Sequence, residues 1–126
     1  MRVDRLDHLV LTVVDIDAAI RFYTEVLGME EVTFGPGRKA LGFGRCKINL
    51  HQVGREFEPK ARRPTSGSAD LCLIVDDPID AVMHELRKAG VAVEEGPVRR
   101  TGATGPLVSC YLRDPDGNLI ELSNPA

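Results

Sequence analysis

The chain has 126 residues, and its 16 Lys and Arg stand against 19 Asp and Glu, which gives a formal net charge of −3 at pH 7. This charge gives no reason to expect nucleic acid or an anionic membrane as the main partner. No apolar run approaches the roughly 20 residues that a membrane span needs. The first seven residues are too charged for a signal peptide, so we expect a cytoplasmic protein. The cysteines number 3 and contain no Cys-x-x-Cys pair, which argues against a disulfide framework or a structural zinc site.

The first half of the chain predicts one strand, one helix and three further strands. Residues 6–13 are rich in aliphatic and β-branched side chains, as expected of a strand. Asp15 then predicts the N-cap of a helix with apolar residues at helical spacing, and Gly28 predicts its end. The three further strands are predicted at about 29–35, 39–45 and 46–53.

The second half follows the same order. Residues 69–75 predict a strand, and Asp77 predicts the N-cap of a helix with Pro78 at its first position. Strands are predicted at about 91–96, 107–113 and 118–123, the last after the turn sequence at 114–118. We expect the loops 54–68 and 96–105 to border a site, the second as a candidate mobile lid.

Two tandem βαβββ modules follow from this repeat of roughly 60 residues. We place module 1 at about 4–55 and module 2 at about 68–124, with a Pro-rich linker between them. Neither half alone buries much core, so we expect residues 1–126 to form a single α+β domain.

Side-chain alternation in the strands predicts one aliphatic face, which packs on the helices, and one polar face. The polar face collects His8, Asn49, His51, Asp70, Ser109, Tyr111, Glu121 and Ser123. Imidazoles and carboxylates bind divalent metals or transfer protons. Taken singly, His8 could be a half-buried core residue, Asp70 a loop cap and Glu121 half of a surface ion pair. In the repeat, His8 occupies the position equivalent to Asp70, and Asn49 the position equivalent to Glu121. This joint placement favours a functional site. His84 lies on the polar side of the second helix, and we assign it no role.

Three segments resemble the vicinal oxygen chelate superfamily, which contains glyoxalase I, extradiol dioxygenases and bleomycin-resistance proteins. They are Asp7-His8-Leu9-Val10-Leu11, the helix end from Phe22 to Met29, and Asp114-Pro115-Asp116-Gly117-Asn118-Leu119-Ile120-Glu121-Leu122. The segments 49–51, 56–61, 96–98 and 100–103 look like the branch of glyoxalase-domain-containing protein 5 and of virulence-associated proteins.

The resemblance implies strands curled into a cup around one divalent metal ion, which could be Zn, Ni, Mn or Fe. The family's ligand positions correspond to His8, Asn49, Asp70 and Glu121. Asp70 stands where His is common, and Asn49 stands where Glu or Gln is common. His51, two residues along the same strand, could replace Asn49, so the predicted metal ligands are His8, Asp70, Glu121 and His51.

The expected function is that of a metal-dependent enzyme on a small substrate chelated through vicinal oxygens, either a glyoxalase-I-like lyase or isomerase or a dioxygenase. Glu121, His51 and Tyr111 are the predicted catalytic residues. The predicted substrate-binding residues are Arg100, Arg113 and Ser109.

Two other classes of protein remain open from the sequence. One is a non-catalytic binding protein of the bleomycin-resistance type, which lacks an intact metal site. The other is a purely structural protein, which explains the polar face poorly. The expected partner is a small molecule, with neither nucleic acid nor a membrane, and the expected assembly is a homodimer, the commonest closed assembly.

Overall fold

The computed structural model describes all residues from Met1 to Ala126. The chain divides into two compact units, Met1–Gly67 and Ser68–Ala126. Each unit contains one α-helix and one four-stranded mixed sheet in the order strand, helix, strand, strand, strand. The α+β fold of two tandem βαβββ modules, predicted from the internal repeat, is confirmed. Neither helix has the length and apolar character needed to cross a membrane.

The sheet of unit 1 has the strand order β1-β4-β3-β2. Its elements are β1 (His8–Val13), α1 (Ile16–Glu25), β2 (Glu30–Phe34), β3 (Arg38–Phe43) and β4 (Cys46–Gln52). β1 runs parallel to β4, and the other two pairs are antiparallel. The buried face of α1, which includes Ala19, Ile20 and Tyr23, lies against β2, β3 and β4.

Unit 2 repeats this topology in the strand order β5-β8-β7-β6. Its elements are β5 (Asp70–Ile74), α2 (Ile79–Lys88), β6 (Glu95–Thr101), β7 (Pro106–Arg113) and β8 (Leu119–Pro125). β5 is parallel to β8, and α2 lies against β7 and β8 through a stripe that includes Val82, Met83 and Leu86.

The register of the parallel pairs preserves the correspondence that the repeat predicts. In unit 1, Asn49 lies opposite Val10, two residues after His8. In unit 2, Glu121 lies opposite Cys72, two residues after Asp70. Because facing residues in a sheet share a side, each unit carries its two corresponding polar residues on one face.

The two helices begin differently. Asp15 caps α1 as predicted, since its carboxylate accepts a hydrogen bond from the Ala18 amide at 3.1 Å. The prediction that Asp77 caps α2 is wrong, because Pro78 is the N-cap residue and makes no side-chain cap. Asn124 of β8 replaces it, and its Oδ1 accepts a hydrogen bond from the Ile79 amide at 2.7 Å.

The segment predicted as a strand at 91–96 and then a mobile loop also folds differently. β6 covers Glu95–Thr101 and pairs antiparallel with β7, with a register irregularity between Glu95 and Val98. Gly96 has a φ of +142°, and a Cβ there would lie 2.7 Å from the Cys110 Cβ. The close approach to β7 therefore requires glycine, and 96–101 belongs to the sheet rather than to a lid.

The turn before β8 is fixed by two buried side chains. Asp114 Oδ1 accepts hydrogen bonds from the amides of Asp116 and Asn118, both at 2.9 Å. Asn118 Nδ2 donates to Asp114 Oδ2 at 2.8 Å, and Asn118 Oδ1 accepts from the Ala69 amide at 2.9 Å. Asn118, which is 1% exposed, thus connects the start of β5 to the start of β8.

Replacing Asn118 with alanine should lower the free energy of unfolding by about 2–4 kcal/mol, because a buried amide and a buried carboxylate lose partners. Urea unfolding of the wild type and of Asn118→Ala measures this difference. Gln52→Ala, at the end of β4, is the control and should cost less than about 1 kcal/mol. Equal losses in the two variants would contradict the importance given to Asn118.

Candidate active site

The four predicted metal ligands divide between the two units. His8 and His51 belong to unit 1, and Asp70 and Glu121 belong to unit 2. Within neither unit do three or more His, Cys, Asp or Glu side chains gather as ligands of one ion. The chemical role open to each residue therefore depends on its own hydrogen bonds, burial and neighbouring charges.

His8 begins β1 and is held by its neighbour in sequence. Its Nδ1 lies 2.8 Å from Asp7 Oδ2, and its side chain is 43% exposed. The hydrogen bond with His8, followed by the charge of the imidazole, lowers the pKa of Asp7. A carboxylate on Nδ1 fixes the tautomer that leaves Nε2 free as a ligand, an arrangement common in metal-binding histidines.

His51 is buried in β4 with an exposure of 3%. Its Nε2 lies 3.2 Å from Arg38 Nη2, and its ring contacts that of Phe57 edge-on. Since a guanidinium can only donate, Nε2 accepts this hydrogen bond and Nδ1 carries the proton. Burial, and then the charge of Arg38, lower the pKa of His51, which favours the neutral imidazole. Coordination of a metal through Nε2 would require Arg38 to move, so the role of His51 as a ligand stays a prediction.

Arg38 was not among the predicted site residues. Its guanidinium carbon lies 5.1 Å from the Phe34 ring centroid and 4.4 Å from that of Phe57. Arg38 forms no ion pair with any carboxylate, and its Nε is buried without a hydrogen-bond partner. The sequence contained only a weak signal for it, since Arg38, Ala40 and Gly42 fall on the same face of β3. The structure places this face beside Asn49, because Ala40 lies opposite Asn49.

Asn49 is 7% exposed, and its Oδ1 has no partner. It occupies the position in unit 1 that Glu121 occupies in unit 2. A buried amide oxygen without a donor is uncommon in folded proteins. This oxygen is therefore a candidate contact for a ligand or for water.

Glu121 is held from its own sheet. Its Oε2 accepts a hydrogen bond from Ser109 Oγ at 2.7 Å and one from Ser123 Oγ at 3.3 Å. The two serine hydroxyls lie 2.7 Å apart, and both residues are 0% exposed. Ser109, predicted to bind substrate, is therefore placed by the fold against Glu121.

Tyr111 lies directly opposite Glu121 in the β7–β8 ladder. Its hydroxyl accepts a hydrogen bond from Arg100 Nε at 2.9 Å. Partial burial raises the pKa of Tyr111, and Glu121 raises it further, while Arg100 lowers it. The net increase favours the protonated phenol.

The two arginines predicted to bind substrate already have partners. Arg100 contacts Glu95 at 3.4 Å as well as Tyr111. Arg113 pairs with Glu94 at 3.1 Å. Both guanidinium groups are on exposed residues, so a substrate would compete with weak surface ion pairs.

Asp70 and Cys72 are exposed on β5 and point to the same side. The Cys72 thiol lies 3.3 Å from Ser123 Oγ, and its partial burial, with a contribution from Glu121, raises its pKa. This thiol is therefore a poor nucleophile, whereas Asp70 offers an exposed carboxylate.

Residues 5–122 match the model of the glyoxalase/bleomycin resistance protein/dioxygenase superfamily. Virulence protein STM3117 of Salmonella typhimurium (strain LT2) is 64% identical over 123 residues, which cover 98% of this chain and 85% of that protein. Its crystal structure has a TM-score of 0.98 at 63% identity and covers 100% of both chains. Glyoxalase domain-containing protein RDO1 of Mycosarcoma maydis is 58% identical over 124 residues, 98% of this chain and 70% of that protein.

More distant structures differ in what they do. Lactoylglutathione lyase from Agrobacterium tumefaciens has a TM-score of 0.75 at 26% identity, covering 98% of this chain and 95% of that one. TnmS3, an antibiotic binding protein from Streptomyces sp. CB03234, has a TM-score of 0.78 at 26% identity, covering 100% and 99%. This fold therefore serves both catalysis and binding.

The lowered pKa of His51 predicts a pH dependence of stability. The unfolded chain binds a proton at this histidine near pH 6.5, whereas the folded chain does so only at lower pH. The free energy of unfolding should therefore decrease as the pH falls from about 6.5 towards the folded pKa of His51. Above about pH 6.5 the contribution of the neutral His51 to stability should be fully present. Urea unfolding of His51→Gln between about pH 7.5 and 5.5 should show a shallower decrease than the wild type.

Arg38→Gln tests the second cause of the lowered pKa of His51, which is the charge of Arg38. It removes the cation on Nε2 and leaves Glu56, which raises the pKa of His51, and Lys60, which lowers it. The decrease should then be intermediate between those of the wild type and His51→Gln. An unchanged slope in His51→Gln would show that other groups control the pH dependence.

Proposed function

Because the chain belongs to the glyoxalase/bleomycin resistance protein/dioxygenase superfamily, we propose that it is a metal-dependent enzyme acting on a small substrate with two neighbouring oxygens. The observation that carries the proposal is the fixed carboxylate of Glu121, supported by two fully buried serines. Buried hydroxyls directed at one carboxylate oxygen are typical of a ligand held by supporting hydrogen bonds. Lyase or isomerase chemistry and dioxygenase chemistry are both compatible with this proposal.

The residues fit a divalent metal by their chemistry. His8 offers a free Nε2 supported by Asp7, Glu121 a positioned carboxylate, and Asp70 an exposed carboxylate. One imidazole and two carboxylates form a hard donor set suited to Mn²⁺, Fe²⁺, Ni²⁺ or Zn²⁺. We propose these three as the ligands.

A divalent ion would supply Lewis acidity to the paired oxygens of the substrate. The chain's own groups would hold protons and orient the substrate. The neutral His51 holds its proton on Nδ1, because Arg38 donates to Nε2, and would donate a hydrogen bond from Nδ1 to the substrate. Tyr111, whose pKa is raised, would stay protonated and orient the substrate through a hydrogen bond from its phenol. Ser109 and Ser123 position Glu121, while Arg100 and Arg113 would attract an anionic substrate if they leave their surface partners.

The second candidate is a binding protein without catalysis, which the similarity to TnmS3 over the full chain favours. The two candidates differ in their response to chelation. An enzyme of the proposed type loses activity in EDTA, whereas a sequestering protein keeps its ligand in EDTA and in Glu121→Gln.

The same proposal includes a homodimer in the cytoplasm with a small-molecule substrate. The net charge of −3 supports the absence of a nucleic-acid partner, and two-fold dimers are the commonest closed assemblies. Light scattering after gel filtration measures the assembly directly.

Protein purified without chelator should contain a stoichiometric divalent metal, measured by mass spectrometry of its elements. His8→Ala and Glu121→Gln should weaken metal binding by at least about tenfold, because each removes a ligand. The matched controls are His84→Ala and Glu85→Gln, which change the same residue types on the exposed side of α2. Wild-type protein that binds no metal, or controls that lose as much as the ligand variants, would contradict the proposal.

Asp7→Asn should weaken metal binding by about tenfold while leaving the stoichiometry intact. The carboxylate that orients the His8 imidazole and increases its basicity is then replaced by a neutral amide. Competition with a chelating dye measures the affinity. Asp4→Asn, which alters a carboxylate paired only with the exposed Arg5, is the control and should behave as the wild type.

A further inference from the structure

The polar face of unit 1 contains a cavity of about 220 Å³. Its walls come from β1, from β4 and from the loop that follows β4. This volume is smaller than that of most ligand pockets, roughly 300–1,000 Å³, so the cavity fits a small molecule or one end of a larger one.

Three residues with hydrogen-bond donors line this cavity: Thr12, His51 and Lys60. The remaining walls are apolar and come from Val10, Pro59, Ala61 and Pro64. A few convergent polar groups among apolar walls are typical of a small-molecule site.

The imidazole in the cavity acts as a donor because of its neighbour. Arg38 donates to Nε2 of His51, so the proton lies on Nδ1. His51 is 3% exposed and Thr12 is 9% exposed, yet neither Nδ1 of His51 nor the hydroxyl of Thr12 has a hydrogen-bond partner within the protein. Two donors on buried residues of the cavity wall are therefore available to an acceptor.

The Lys60 ammonium is held only loosely by two carboxylates. Its Nζ lies 3.6 Å from Glu56 Oε1 and 3.7 Å from Glu58 Oε1, both longer than an ordinary charged hydrogen bond. Glu56 is itself engaged by the Gly54 amide at 3.0 Å. The ammonium can therefore turn towards an anion in the cavity at little cost.

The guanidinium of Arg38 places a second positive charge beside Nε2 of His51. Arg38 is half-buried between Phe34 and Phe57 and has no carboxylate partner. A partly buried cation without a counter-ion is unfavourable, and an anionic acceptor placed on the far side of His51 would relieve it.

We propose that this cavity binds a carboxylate group carried on a short apolar body. The carboxylate oxygens would accept hydrogen bonds from His51 Nδ1, Thr12 Oγ1 and Lys60 Nζ, and the body would contact the prolines and Val10. The cavity shares its sheet face with His8, so as a substrate subsite this proposal rests on the proposed function. As a binding site it depends on unit 1 alone.

The test is a titration of EDTA-treated protein with benzoate and with benzamide, its neutral analogue of the same shape, followed by ¹H–¹⁵N NMR. Benzoate should bind at least about tenfold more tightly than benzamide, because charge-assisted hydrogen bonds are lost with the amide. The shifts should centre on residues 10–12, 51 and 59–64. Equal affinities, or shifts centred in unit 2, would overturn the proposal.

Lys60→Gln should weaken benzoate binding by about tenfold. Thr12→Val, which keeps the shape of the side chain, should weaken it by a smaller factor. Lys88→Gln makes the same change of charge at the end of α2 and should have no effect. If neither Lys60→Gln nor Thr12→Val weakens binding, the proposed site is wrong.

Inorganic phosphate and added metal complete the experiment. If phosphate binds as tightly as benzoate, the proposal that the ligand carries an apolar body is wrong, because phosphate has no such body. Benzoate binding that persists in EDTA while the metal prediction fails would separate this site from the proposed enzyme. Benzoate binding that requires metal would overturn a site built from unit 1 alone.

Discussion

Each four-stranded sheet is covered by one helix only, and the rest of the structure depends on this constraint. One helix can bury one face of a sheet, so the strands must alternate aliphatic and polar residues. Leu11, Ile48 and Leu50 are 4%, 0% and 2% exposed on the covered face of unit 1, whereas Thr12, Asn49 and His51 lie between them on the other. The polar face is therefore a consequence of the packing, and its chemistry is free to vary without loss of the aliphatic core.

The two polar faces use this freedom in different ways. In unit 2, Ser109, Ser123 and Glu121 satisfy one another, and a satisfied buried network is rigid and holds its carboxylate in one orientation. In unit 1, Asn49 Oδ1 and Arg38 Nε are buried and unpaired. Each unpaired group has a desolvation cost of about 1–3 kcal/mol, and a protein keeps such groups mainly where a ligand or water completes them. The repeat thus combines a carboxylate with satisfied hydrogen bonds in unit 2 with a polar surface that has unpaired buried groups in unit 1.

Local sequence signals were sufficient wherever the stabilising interaction is itself local. Asp15 caps the helix that begins one residue later, and Asn118 closes a turn with Asp114. Strand alternation, which is also a local pattern, correctly predicts that Glu121 and His51 lie on polar faces. The failures involve partners distant in the chain. Asn124 caps a helix 45 residues earlier. Gly96 and Pro97 lie within β6, at the irregularity of its pairing with β7, where Gly96 approaches Cys110.

Arg38 shows most clearly why a site cannot be read completely from sequence. An arginine next to Gly37 in a hairpin is ordinarily a solvated charge, and nothing in its neighbours in sequence distinguishes it. The sheet brings it to His51, 13 residues away, and the rings of Phe34 and Phe57 shield it from water. Once there, it determines the tautomer of the imidazole and, together with burial, lowers the pKa of His51. Nδ1–H is then left without a partner within the protein. An imidazole that the alternation of β4 marks only as polar thereby becomes a directed donor, and the residue responsible for that change is recognisable only in three dimensions.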